Sequence, residues 1–383
     1  MQCLRYALAL LAASGSVVAR PSFVDFGSLS MNSIFGRDTV DSFNADDLTF
    51  IKKLAAVGDS YSAGIGAGDG LHGEGDENCR RYDHSYPYLI NQDERLGDTA
   101  NRKFQFKSCS GAVIKNVIED QLPSIDSDQQ IILLSAGGND AELVNILNQC
   151  VYQWFALNGQ HSTVGKVAAM KGEPWAKGWD WDAASRGCLG QLQYSKNIIN
   201  TDEFSQRIDS MIEATKKKLS SDGMIYYTGY AKFWSTDYGS ACDKVSWSTW
   251  IFKSYNIWQP AARLEELRRR EMNRLVDLIN DKIEAAVKRA GDKVTFVNYD
   301  EYVGHFKGRY CEDGVDESVV DSNTRPELMF YELDTFDPWG EAQYCVAQER
   351  QEHKIEETSK IQGLQAAAEE GATEDVPNLL PDG

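Results

Sequence analysis

Beyond its first 19 residues the chain contains no apolar run of the ~18 residues that a membrane-spanning helix needs, so no transmembrane segment is expected. Positive charge is also short. Against 58 Asp+Glu there are only 39 Lys+Arg, a net charge of -19. Such a surface repels polyphosphates, which argues against a nucleic-acid partner and against lasting adhesion to anionic membranes. Histidine is scarcer still, with five in 383 residues. There is no C-x-x-C pair with histidines at ligand spacing, no H-E-x-x-H and no P-loop, so neither a metal nor a nucleotide cofactor is implied. The absence of G-x-S-x-G argues against the nucleophile elbow of the α/β-hydrolase fold. One G-x-G-x-x-G match, Gly68 to Gly73, sits in an acidic loop where a dinucleotide phosphate would meet carboxylates, and is set aside. No N-x-[ST] acceptor for N-glycosylation is found.

What is present fits a globular, exported protein. Hydrophobic residues make up 42% and charged residues 25%. Arg5 followed by the apolar stretch Ala7 to Ala19, with small residues Val17 and Ala19 at its end, has the pattern of a secretory signal over residues 1–19. An extracellular location is therefore expected. Cys3 would leave with that signal, and seven cysteines remain: Cys79, Cys109, Cys150, Cys188, Cys242, Cys311 and Cys345. Scattered singly, they are expected to form disulfides, with a connectivity that the spacing leaves open. Seven is odd, so one thiol lacks a partner within the chain.

Residues 20–48 are polar and aperiodic and are expected to form a leader or loose arm. The apolar runs Leu54 to Val57 and Gln130 to Leu134 each end in small residues, as buried strands breaking into turns do. Residues 64 to 76 form a loop rich in Gly, Asp and Glu. Helical spacing covers Thr201 to Leu219 and Pro260 to Ala290, with strands expected at Met224 to Tyr230 and Val294 to Val297. Strands alternating with helices predict a parallel sheet covered on both faces. Residues 150 to 200, carrying Trp154, Trp175, Trp179 and Trp181, have the character of an insertion against one side of that sheet. These tryptophans fit core and rim packing better than a sugar platform. Residues 341–383 make a charged tail, helical over 341 to 372.

In such sheets ligands bind where the strands end. Three polar turns are placed to serve there: Gly58-Asp59-Ser60, Ser110-Gly111 and Gly138-Asn139-Asp140. Together they offer the parts of acyl transfer. Ser60 would start a helix, where backbone N–H groups converge on its hydroxyl. Gly111, lacking a Cβ, lets its N–H approach a developing oxyanion, and Asn139 can aim a side-chain N–H at the same oxygen.

In order along the chain, Gly58-Asp59-Ser60-Tyr61-Ser62-Ala63-Gly64, Cys109-Ser110-Gly111-Ala112 and Gly137-Gly138-Asn139-Asp140 resemble the first three blocks of SGNH/GDSL hydrolases. Asn78-Cys79-Arg80-Arg81, Ser85-Tyr86-Pro87 and Gly304-His305 with Tyr310-Cys311-Glu312 resemble its secreted branch of fungal and actinobacterial lipases and esterases. The likeness spans about residues 52 to 315. It implies a flavodoxin-like three-layer α/β/α sandwich with a parallel sheet of about five strands, set within residues 49–340. It also implies the catalytic set Ser60, Gly111 and Asn139, with Ser60 as nucleophile and all three forming the oxyanion hole. By the same resemblance the cysteines pair as 79–109, 150–188 and 242–311, leaving Cys345 unpaired.

The family's base, a histidine in a late Asp-x-x-His-Pro block, has no counterpart here. His72, His84 and His161 fall in early loops and are expected to be structural or solvated. His305 belongs to a segment that precedes the catalytic block in the family. His353 is late enough but lacks the flanking Asp and Pro. Asp337-Pro338 has the proline with a carboxylate in place of the histidine. Asn378 to Gly383 resembles the stretch leading into that block in fungal relatives, so the sequence is expected to stop short of it. Hydrolysis of small-molecule, lipid or acylated-carbohydrate esters by a monomer is the expected function. The alternatives are a secreted binding protein that lacks its base and an acetylesterase acting on polysaccharide.

Overall fold

Five strands form one sheet, all parallel, in the spatial order β2-β1-β3-β4-β5: β1 Lys53–Gly58, β2 Lys103–Phe106, β3 Gln129–Ser135, β4 Leu219–Thr228 and β5 Val294–Val297. This is the flavodoxin-like order, with the direction of winding reversing beside β1. The computed structural model describes residues 47–65, 67–153, 155–157, 159–178, 180–236, 241–248, 262–305 and 309–312, with the residue pairs 332–333 and 344–345. The expected signal, nearly all of the arm, His353 and almost all of the tail lie outside these residues. Within the tail, Tyr344–Cys345 pairs antiparallel with Glu332–Leu333 as a strand where a helix was expected.

Alternation along the strands sends side chains to two cores. Ala55, Val57, Ile132, Leu134, Ile225 and Tyr227 point into the larger one, while Leu54, Ala56, Leu133 and Tyr226 point into the smaller. The larger core lies under Leu143–Leu147 (α1), Gly187–Ile199 (α2), Asp202–Lys216 (α3) and Glu266–Ala290 (α4). The smaller is closed by Leu48, Ile51, Ile90 and Leu96. Burial on both faces explains why β1 and β3 are nearly continuous apolar runs.

The expected boundaries hold at Val294–Val297 and shift elsewhere. Helix α3 starts where Thr201 caps it, the Thr201 hydroxyl accepting from the Phe204 N–H at 3.1 Å. It ends at Lys216 because the Lys218 carbonyl already bonds Gln129, handing Leu219 to the sheet. Helix α4 begins at Glu266, later than the expected Pro260. Residues 262 to 265 are outside the helix, with the Ala262 N–H on Gln153 Oε1 at 2.6 Å and the Leu264 N–H on the Val245 carbonyl at 2.9 Å. Strand β2 had no expectation attached. Its Lys-Phe-Gln-Phe is four residues long and half exposed, as befits an edge.

Three disulfides, Cys79–Cys109, Cys150–Cys188 and Cys242–Cys311, match the pairing implied by the resemblance. The second staples the inserted segment, in which Trp181 is buried against Phe155. Trp234 is buried as well and packs on Trp247 and Tyr310, so the tryptophans whose surroundings are described serve packing. No described helix is long and apolar enough to cross a membrane.

Candidate active site

The three polar turns follow the C-terminal ends of three adjacent strands, β2, β1 and β3. Strand order therefore brings to one edge residues as distant in sequence as Ser60 and Asp140. The turn after β1 is forced by contact with its neighbour. Gly58 has φ +146°, and a Cβ there would lie 2.1 Å from the Ser135 carbonyl oxygen, so no side chain fits. Gln121 brackets the same residue, accepting from the Gly58 N–H at 2.6 Å and donating to its carbonyl at 2.9 Å. Asp59 then caps the four-residue helix Ser60–Ala63, accepting from the Tyr61 N–H at 3.1 Å. Ser60 is the first residue of that helix, and 6% of its surface is exposed.

The second turn is fixed to the first by the Cys109 N–H on the Gly58 carbonyl at 2.9 Å, and to the acidic loop by the Cys79–Cys109 disulfide and by Ser110 N–H on the Cys79 carbonyl. Gly111 has φ +83° with no heavy atom within 4 Å of where its Cβ would be, so the space before it is open. The third turn bonds to the second. Asn139 donates one amide hydrogen to the Ala112 carbonyl at 2.9 Å, and an amide has two to give. Asp140 accepts from the Ile114 N–H at 2.9 Å, and burial pushes its carboxyl above the usual range.

Beneath these turns lies a group that sequence reading passed over. Asp59 is fully buried; its Oδ1 accepts from the Ser135 hydroxyl at 2.6 Å and its Oδ2 from the Tyr230 hydroxyl at 2.5 Å. Loss of hydration raises its pKa to about 6, against the lowering effect of these hydrogen bonds. Nothing local in the sequence signals the cluster, because its members lie 76 and 171 residues from Asp59.

The histidines with described side chains do not join the site's hydrogen bonds. His72 is 83% exposed and pairs with Glu77; His84 is 61% exposed and pairs with Asp83 at 2.6 Å. The side chains of His161, His305 and His353 lie outside the described residues. Among the described residues no group of three or more His, Cys, Asp or Glu could hold a metal ion.

No family model matches the chain. Two relatives do. Over 98 residues it is 37% identical to "Lipase 1" of Streptomyces coelicolor, a stretch covering 26% of this chain and 34% of that protein. Over 116 residues it is 31% identical to "Lipase" of Streptomyces rimosus, covering 30% and 39%. Over these stretches the chain is similar to Streptomyces proteins named as lipases. It spans little more than a third of the length of the relatives it matches. Among solved structures, it resembles phospholipase A1 from Streptomyces albidoflavus with TM-score 0.46 at 22% identity, covering 66% of this chain and 80% of that one. It resembles an extracellular lipase from Streptomyces rimosus with TM-score 0.47 at 19%, covering 73% and 92%. The flavodoxin-like fold of this chain rests on its own sheet order.

Proposed function

We propose that this chain is of the SGNH/GDSL type and hydrolyses carboxylic esters through Ser60. The observation that carries the reading is the tying of three turns to one another at the ends of β2, β1 and β3, by Cys109 to Gly58, Asp59 to Ser135 and Asn139 to Ala112. In the proposed reaction Ser60 Oγ attacks the acyl carbon as its proton passes to a general base. The carbonyl π pair moves onto oxygen, which the Ser60 N–H, the Gly111 N–H and the second Asn139 amide hydrogen stabilise. Collapse expels the alcohol, which takes the proton back, and water then releases the acid from the acyl-serine by the same route. His353 is the candidate base carried by the sequence. Three disulfides fit export to an oxidising compartment, so we read the protein as secreted.

Turnover of p-nitrophenyl butyrate by the purified chain tests this. The unmodified chain is expected to exceed the Ser60→Ala background by about 10³-fold or more, the order expected for loss of a nucleophile. A second reading, a binding protein without its base, is favoured by one observation: both described histidines are exposed and paired elsewhere. Equal rates for the two proteins would establish it. Comparison of acetate with longer acyl esters separates an acetylesterase from a lipase.

A further inference from the structure

The turn that carries Ser60 and the turn that carries Asn139 meet at a single oxygen. Tyr230 lies two residues past the end of β4 and is 3% exposed. Its hydroxyl donates to Asp59 Oδ2 at 2.5 Å and accepts from the Gly138 N–H at 2.9 Å. Asp59 immediately precedes Ser60, and Gly138 immediately precedes Asn139. A phenol has one hydrogen and accepts through its lone pairs, so both bonds form together.

The tyrosine itself is held firmly. Asn280, within α4, brackets its backbone, accepting from the Tyr230 N–H and donating to the Tyr230 carbonyl, each at 2.8 Å. The ring packs edge-on against Tyr61, centroids 4.7 Å apart at 88°. It also lies so close to Gly138 that a Cβ there would come within 3.2 Å of ring atoms. Asp59 does not depend on this phenol to cap its helix, because its other oxygen accepts from the Tyr61 N–H and the Ser135 hydroxyl. The phenol is therefore spent on the distance between two turns.

We propose that Tyr230 is a positioning residue, its hydroxyl setting the oxyanion-binding turn at Asn139 in register with the nucleophile turn at Ser60. The proposal rests on the reading of Ser60 and Asn139 given above. Stabilising a tetrahedral oxyanion needs donors placed before the charge develops, and a small misplacement of one donor is felt in the transition state more than in substrate binding. Loss of the hydroxyl is thus expected in kcat with little change in KM.

The test is a set of variants assayed with p-nitrophenyl butyrate. Tyr230→Phe keeps the ring against Tyr61 and removes only the hydroxyl; kcat is expected to fall roughly 10- to 100-fold with KM within about threefold. Asp98→Ala, which removes the cap of residues 99–101 just before the start of β2, at the opposite end of the sheet from the site, serves as the destabilised control and should keep the parental kcat. If Tyr230 acts through Asn139, then in an Asn139→Ala background Tyr230→Phe should cost less than about threefold, because the donor it positions is gone. Should Tyr230→Phe not fold, Asn280→Ala frees the backbone while leaving the hydroxyl, and a smaller loss confined to kcat is expected. A Tyr230→Phe rate within about twofold of the parent overturns the proposal, and so does an equal loss with and without Asn139. If Ser60→Ala leaves turnover unchanged, or the parent shows none, the site reading itself fails and the proposal with it. Loss in Ser60→Ala with none in Tyr230→Phe removes the proposal alone.

Discussion

At the scale of single residues the proposed site is built around a buried carboxyl, Asp59, that sequence offered only as the middle letter of a turn. Ser60, Gly111 and Asn139 could be proposed from the sequence because each stands in a short block and the blocks follow the order of the family they resemble. The role of Asp59 could not, since it depends on Ser135 and Tyr230 reaching it across the sheet. Its burial has a measurable consequence. With a folded pKa of about 6 and an unfolded value near 3.8, the folded state holds its proton more tightly. This contribution to stability is full below about pH 4 and is lost as pH rises through about 6, by on the order of 3 kcal/mol. The titratable groups around Asp59 are Tyr230, Tyr227, Tyr86 and Asp140. Asp140 is the one that also ionises in the acid range. Urea unfolding of the parent and of Asp59→Asn between about pH 4 and pH 7 isolates the effect. The variant should gain stability relative to the parent as pH rises across that window. A difference that does not change with pH would show that burial does not govern this carboxyl.

At the scale of elements, strands buried on both faces were the most legible, because a short apolar run ending in glycine or serine fits little besides a strand breaking into a turn. Strand β2 was missed for the opposite reason: four residues at an edge carry too little pattern. The start of α4 was misplaced because tertiary bonds from Gln153 and Val245 claim residues 262 to 264, overriding a helical composition. The turn carrying Gly111 follows that missed edge strand and leans on the Cys79–Cys109 disulfide. Removing this bridge as Cys79→Ser with Cys109→Ser should destabilise the fold by about 3 to 4 kcal/mol, given a loop of 30 residues. Removing Cys150–Cys188, whose loop is 38 residues, should cost only slightly more, since loop length enters as a logarithm. Activity should separate them. Esterase turnover of the folded protein is expected to drop about tenfold or more for the first pair and little for the second, whose bridge staples the insertion. Equal losses would mean that the bridge beside Ser110 does not order the oxyanion turn.

At the scale of the whole molecule, the parallel sheet in the order 2-1-3-4-5 turns three blocks that are distant in sequence into neighbours. The fold class was therefore readable from the chain, whereas the three disulfide pairings came only with the family resemblance, since the spacing left them open. The base was not readable, because the late histidine that the family supplies has no motif here and His353 lies outside the described residues. The central claim is that Ser60 is an activated nucleophile facing an oxyanion hole, and covalent trapping examines it without requiring the full hydrolytic cycle. The full chain would be treated with a p-nitrophenyl alkylphosphonate, and the adduct mapped by mass spectrometry of its peptides. A single adduct on the peptide containing Ser60, with one equivalent of p-nitrophenol released and none from Ser60→Ala, is the expected result. No adduct, or one that persists in Ser60→Ala, would contradict the account.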